Sequence, residues 1–148
     1  FAALHRAGFA NQPHSQHRGD GLALRDCYIT ATARCAPPGN KPTREEITSC
    51  RQYLVREWTA LRGAKAILVL GKIALDGLLA MLREVGRVPV RKAYAFGHGV
   101  SHDLGDGLRL FASYHPSQQN TFTGRLTPRR FDTVLAAINR HLGPPVLR

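Results

Sequence analysis

Five consecutive apolar residues, Ala66-Ile-Leu-Val-Leu70, closed by Gly71, make the clearest element of the chain. A run this short and this apolar predicts a strand buried on both faces. Leucines at 75, 78, 79 and 82 follow at the three- and four-residue spacing of one helix face, which predicts a helix over about 72–85. A second apolar run predicts a strand over 108–114, and the β-branched and small residues of 27–33 predict a further buried strand. Thr43 and Glu46, three residues apart before a periodic stretch, form a capping box. The helix it opens runs to about Leu61, with Ile47, Leu54 and Trp58 facing inward. Thr127 and Pro128 start a last helix that stops at Gly143-Pro-Pro145. Residues 1–8 read as the final turns of a helix ended by Gly8. Residues 11–21 and 97–107 read as turn-rich loops. Strands alternating with helices predict an α/β layered domain spanning 1–148 as one unit.

Charge narrows the choice of partner. With 21 Lys plus Arg against 10 Asp plus Glu, the formal net charge of the 148-residue chain is +11. That excess favours a polyanion, most simply nucleic acid. No apolar stretch approaches the roughly 18 residues that span a membrane, so no membrane partner is expected. Three cysteines are too few for a disulfide scaffold and point to a reducing, cytoplasmic setting.

Two segments leave predicted strands with unusual compositions. In His115-Pro-Ser-Gln-Gln-Asn120, Pro116 keeps His115 out of the helical region and in extended backbone, which aims the imidazole off the strand tip. A neutral imidazole there can donate to a developing oxyanion; the plainer alternative is a solvated histidine in a His-Pro turn. In the second segment, Cys35 closes a strand and Cys50 lies two turns into the helix that Thr43 caps. The pair fits half of a four-thiolate zinc or iron–sulfur site, or two buried free thiols. Cys27 reads as core. Leu70-Gly-Lys72 lacks the rest of a phosphate-binding loop and reads as punctuation between strand and helix. His98 and His102 are four apart, but the flanking Gly97 and Gly99 oppose the helix that would align them as ligands. Arg125, Arg129 and Arg130 form either a solvated face or a phosphate clamp.

These segments together resemble the family 5 uracil-DNA glycosylases, iron–sulfur repair enzymes of bacteria and archaea. The resemblance rests on Tyr28-Ile-Thr-Ala-Thr-Ala-Arg-Cys-Ala-Pro-Pro-Gly-Asn-Lys-Pro42, Cys50, Phe96-Gly-His-Gly99 and the stretch from Ser113 through His115-Pro-Ser-Gln-Gln-Asn120 to Pro128. It implies a three-layer α/β/α domain with a central, mostly parallel sheet, of which residues 1–148 are the C-terminal portion. It also implies removal of uracil, and of hypoxanthine or xanthine, from DNA at the start of base-excision repair. By the same resemblance His115 stabilises the leaving base and Asn40 sits in the pocket near the base or the attacking water. Ala31 stands where family 4 enzymes carry a base-reading asparagine. Ser117, Gln118 and Asn120 belong to a DNA-holding loop, to which Arg125 is added. Cys35 and Cys50 are implied as two ligands of a [4Fe–4S] cluster, with two more cysteines and a water-positioning aspartate upstream of Phe1. A monomeric, nucleoid-associated cytoplasmic protein is expected. The competing expectation is a non-catalytic nucleic-acid-binding domain on the same fold.

Overall fold

The computed structural model describes residues 1–34, 39, 41–88 and 94–144. In chain order the elements are α1 (Ala2–Arg6), α2 (Arg44–Ala60), β1 (Ala66–Leu70), α3 (Lys72–Glu84), β2 (Ser101–Asp103), β3 (Arg109–Ser113), α4 (Gln118–Phe122) and α5 (Pro128–Leu142). The chain divides into two compact units, one of residues 30–114 and one of residues 1–29 with 115–148.

The first unit holds the sheet, whose strand order is β1-β3-β2. β1 and β3 run parallel, with Leu70 level with Ser113, while β2 pairs antiparallel to β3. The α/β expectation holds, with a small mixed sheet. β2 falls inside the stretch expected to be turns alone; at three residues it is too short to show an alternation in the sequence. The leucine face of α3 packs on β1, burying Leu75, Leu78, Leu79 and Leu82 against Val69, Leu110 and Ala112. Burial of side chains of this size contributes roughly 1.5–3 kcal/mol each. α2 packs on α3 and opens on the expected capping box. The Glu46 N–H donates to Thr43 Oγ1 at 3.2 Å, and the Thr43 N–H donates to Glu46 Oε2 at 2.7 Å. No α2 residue is fully buried; Leu54 and Trp58 lie partly buried against the core and Ile47 is half-buried.

The strand expected over 27–33 does not form. β-branched residues favour a pleated surface but still need a neighbour to complete the ladder, and Tyr28 and Ile29 are exposed. Residues 30–34 are instead fastened to helices by side chains. Thr30 Oγ1 donates to Glu57 Oε2 at 2.5 Å. Thr32 lies against Gly77 of α3, its Cβ and Oγ1 each 3.3 Å from the place a Cβ on that glycine would take.

In the second unit α1 packs on α5. Arg6 forms a two-pronged pair with Asp132 at 2.8 and 3.1 Å, and Asn139 Nδ2 donates to the Ala7 carbonyl at 3.0 Å. α1 stops where expected, with Gly8 at φ +86°. α5 begins at Thr127-Pro128, buries Val134, Leu135 and Ile138, and ends before Gly143. The loop of residues 11–21 is closed by Asn11, whose Nδ2 donates to the Gly21 carbonyl and whose Oδ1 accepts from the Ala23 N–H.

Candidate nucleic-acid site at the His-Pro segment

β3 delivers the chain to its carboxyl end at Ser113, where the Gly71 N–H donates to the Ser113 carbonyl at 2.8 Å. The end of β1 is thereby tied to the end of β3, at the edge of a parallel pair where ligands of α/β proteins gather. Beyond it, Ser117 caps a short helix absent from the sequence-based expectation. Its hydroxyl accepts from the Asn120 N–H at 3.3 Å, and α4 follows over Gln118–Phe122. The backbone of His115 is held firmly: its carbonyl accepts from the Ser117 N–H at 2.8 Å and from Asn120 Nδ2 at 2.8 Å. The His115 side chain is exposed, which both the catalytic reading and the solvated histidine of a His-Pro turn share.

The expected DNA-holding residues therefore divide. Gln118 presents an exposed side chain. Ser117 and Asn120 spend hydroxyl and amide on shaping the loop, and the Leu126 N–H donates to the Asn120 carbonyl at 2.8 Å. Arg125 is exposed, and its carbonyl accepts from Arg130 Nη1 at 2.5 Å. Arg129 and Arg130 are exposed on the first turn of α5.

In the other unit, Ala31 is exposed within the segment that runs beside α2 and α3. Cys35 and Asn40 lie outside the described residues. Arg34, the residue before Cys35, is fixed to one face of α2. Its N–H donates to Cys50 Sγ at 3.4 Å, its guanidinium lies 4.8 Å over the Tyr53 ring, and it pairs with Glu57. Positions 50, 53 and 57 share that face because three- and four-residue steps stack on a helix. An N–H donated to sulfur suits a cluster thiolate, so the half-buried Cys50 fits an iron–sulfur ligand in kind. Cys27 does not fit one as well, because burial pushes its thiol up and disfavours the thiolate a metal needs. Among the described residues no three His, Cys, Asp or Glu side chains come together as a metal site.

The expected loop of 97–107 is more ordered than its glycines suggest. His102 Nε2 lies 2.9 Å from the Ala95 carbonyl, and its ring meets Tyr94 edge-on. His98 Nδ1 lies 3.3 Å from Ser113 Oγ and 3.4 Å from the Tyr114 nitrogen. Each histidine thus has its own structural partners, which the sequence spacing of four gave no reason to suspect. Lys72 pairs with Asp76 at 3.0 Å one turn on, in keeping with punctuation between β1 and α3.

The fold is that of an α/β protein, and comparison with known proteins gives the family. The sequence profile of the Uracil DNA glycosylase superfamily matches residues 1–139, and the chain belongs to that superfamily. It is 44% identical over 144 residues to a Type-5 uracil-DNA glycosylase of Mycobacterium bovis, covering 97% of this chain and 52% of the relative. The Type-5 uracil-DNA glycosylase of Thermus thermophilus is 43% identical over 144 residues, with 97% and 63% covered. That of Pyrobaculum aerophilum is 40% identical over 135 residues, with 91% and 56% covered. The chain spans about half the length of the curated relatives it matches, between 52% and 63% of these three. Among the described residues no helix is long and apolar enough to cross a membrane.

Proposed function

We propose that this chain supplies the leaving-group end of a DNA repair glycosylase that cuts the N-glycosidic bond of uracil and starts base-excision repair. The observation that carries this reading is His115, exposed just beyond a parallel strand end with its carbonyl held by two donors. A held backbone suits a group that must meet one atom of a flipped-out base. The target nucleotide has to leave the duplex, at a cost of a few kcal/mol, before its glycosidic bond can be reached. As that bond breaks, negative charge gathers on the base, and a hydrogen bond from the His115 imidazole to the base oxygen lowers the barrier. One such donor is worth roughly a hundredfold to a thousandfold in rate.

Asn40 contributes to the pocket in this reading. Ala31, with no amide to read the base, widens the range to hypoxanthine and xanthine. Gln118 and the arginines at 125, 129 and 130 meet the DNA backbone, and the net charge of +11 favours that contact. Cys35 and Cys50 hold one side of a [4Fe–4S] cluster, with two more cysteines outside this chain; when bound, the cluster cross-links the segments that carry it. The protein acts as a monomer in the cytoplasm. Support comes from the family and from the N–H donated to Cys50 Sγ.

The test uses the protein with its full natural sequence and oligonucleotides carrying one uracil or one hypoxanthine, scored by alkaline scission at the abasic site. Scission at uracil supports the reading. Tight DNA binding with no scission in iron-loaded protein overturns it in favour of a non-catalytic DNA-binding domain.

A further inference from the structure

Alternate residues of the 30–34 segment reach the helices beside it, and α2 supplies most of the partners. Glu57 of α2 holds the segment at two points. Its Oε2 accepts from Thr30 Oγ1 at 2.5 Å, and its Oε1 pairs with Arg34 Nη2. Between them Thr32 lies against Gly77 of α3. One carboxylate, on a side chain only 15% exposed, thus bridges residues 30 and 34. With no strand ladder along this segment, these side chains set its register on the helix.

The clamp continues along α2 to Cys50. The Arg34 guanidinium lies 4.8 Å over the Tyr53 ring, one turn from Cys50, and Glu57 follows a further turn on. At the other end of the same residue, the Arg34 N–H donates to Cys50 Sγ at 3.4 Å. Backbone and side chain of Arg34 therefore grip two turns of one helix face, roughly 10 Å of its length. A planar fork that pairs with a carboxylate and stacks on a ring is a geometry lysine does not reproduce. An N–H donated to a thiolate strengthens as the sulfur gains negative charge, so it favours the reduced state of iron held there.

We propose that Arg34 and Glu57 are positioning residues for Cys50 as an iron–sulfur ligand. Glu57 fixes the Arg34 side chain, and Arg34 in turn fixes its own N–H against Cys50 Sγ. That bond steadies the ligand and raises the reduction potential of the cluster it holds. All of these residues lie within the unit of residues 30–114. The inference rests on the reading of Cys50 given above. Removing outer partners of this kind commonly costs about 10- to 100-fold in metal affinity.

The test uses the full natural protein, iron-loaded without oxygen and made with arginine isotopically labelled at nitrogen. After reduction with dithionite, pulsed EPR is expected to show a coupling from one labelled backbone nitrogen. That coupling should vanish in Arg34→Lys, which keeps an N–H at this position but carries no label. It should weaken in Glu57→Ala, a substitution that suits a helix interior. Iron loss to a ferrous chelator is expected to be at least about 10-fold faster in Arg34→Met and in Glu57→Ala, with a lower midpoint potential. No coupling in the reduced, labelled parent, or one that survives in Arg34→Lys, overturns the contact. Parent-like iron loss and potential in either Arg34→Met or Glu57→Ala overturn positioning. Cys50→Ser keeps the two claims apart. If it loses the cluster while the other variants match the parent, the ligand stands and the proposal falls. If it keeps the cluster, the reading of Cys50 itself falls.

Discussion

Asn120 Nδ2 donates to the carbonyl of His115 at 2.8 Å, five residues back along the chain. The amide of a loop residue is thereby committed to the backbone of the residue at the strand tip. Asn120→Ala leaves that carbonyl with the Ser117 N–H alone, which removes about 1 kcal/mol of stability. Uracil release is expected to fall about tenfold, as a slightly displaced donor requires. Asn120→Asp is expected to be worse, since a carboxylate oxygen then faces the carbonyl oxygen. Thermal unfolding and single-turnover rates check both. Equal activity in all three proteins would show that the contact is incidental.

Thr32 and Gly77 test the packing of the 30–34 segment on α3. Alanine is ordinarily better than glycine inside a helix by about 1 kcal/mol. Here Gly77→Ala meets the Thr32 methyl, and the clash outweighs the propensity, for a net loss of roughly 1–3 kcal/mol. Thr32→Ser removes that methyl, so the double variant recovers much of the loss. Denaturant midpoints of the four proteins give the coupling; additive effects would mean the segment does not lie there.

Much of this architecture was legible because it obeys local rules. Five apolar residues before Gly71, a Thr and a Glu three apart, and a Thr-Pro start each dictate an element with little help from elsewhere, and β1, α2 and α5 form as read. Two of the errors share one cause, dependence on distant partners. Residues 27–33 have strand-forming side chains but no ladder, and the three residues of β2 are a strand only because β3 lies beside them. α4 hides in the His-Pro motif because its capping residue, Ser117, carries no apolar periodicity after it. At the site, the partners of His98 Nδ1 depend on a register no spacing reveals.

Asp20 gives a pH signature. Its carboxylate accepts from the Leu22 N–H at 3.0 Å and the Gln16 N–H at 2.6 Å, and these bonds hold its pKa below the usual value. A depressed carboxyl contributes its full effect above the unfolded pKa, about 3.9, and loses it only as pH falls through the lower folded value. The loop of 11–21 should therefore keep its closure at pH 4 and loosen below it. NMR titration of Asp20 with the amides of residues 16 and 22 reads this directly. A midpoint at or above the ordinary Asp value would contradict the geometry, and Asp20→Asn should flatten both amide curves.

Cys50 carries the iron–sulfur assignment. The protein with its full natural sequence, purified without oxygen, is expected to hold about four irons per chain with a broad visible band. Cys50→Ser should lose most of both, while Cys27→Ser, at a half-buried thiol pushed up by its surroundings, should lose neither. An iron-free protein, or iron retained in Cys50→Ser, would remove the cluster from the account.

The most direct measurement compares single-turnover uracil release by the iron-loaded full-length protein and its His115→Ala variant, with DNA affinity measured alongside. The account predicts a rate lower by roughly a hundredfold to a thousandfold with affinity within a few fold. An unchanged rate would contradict it, since the exposed imidazole would then have no part in freeing the base.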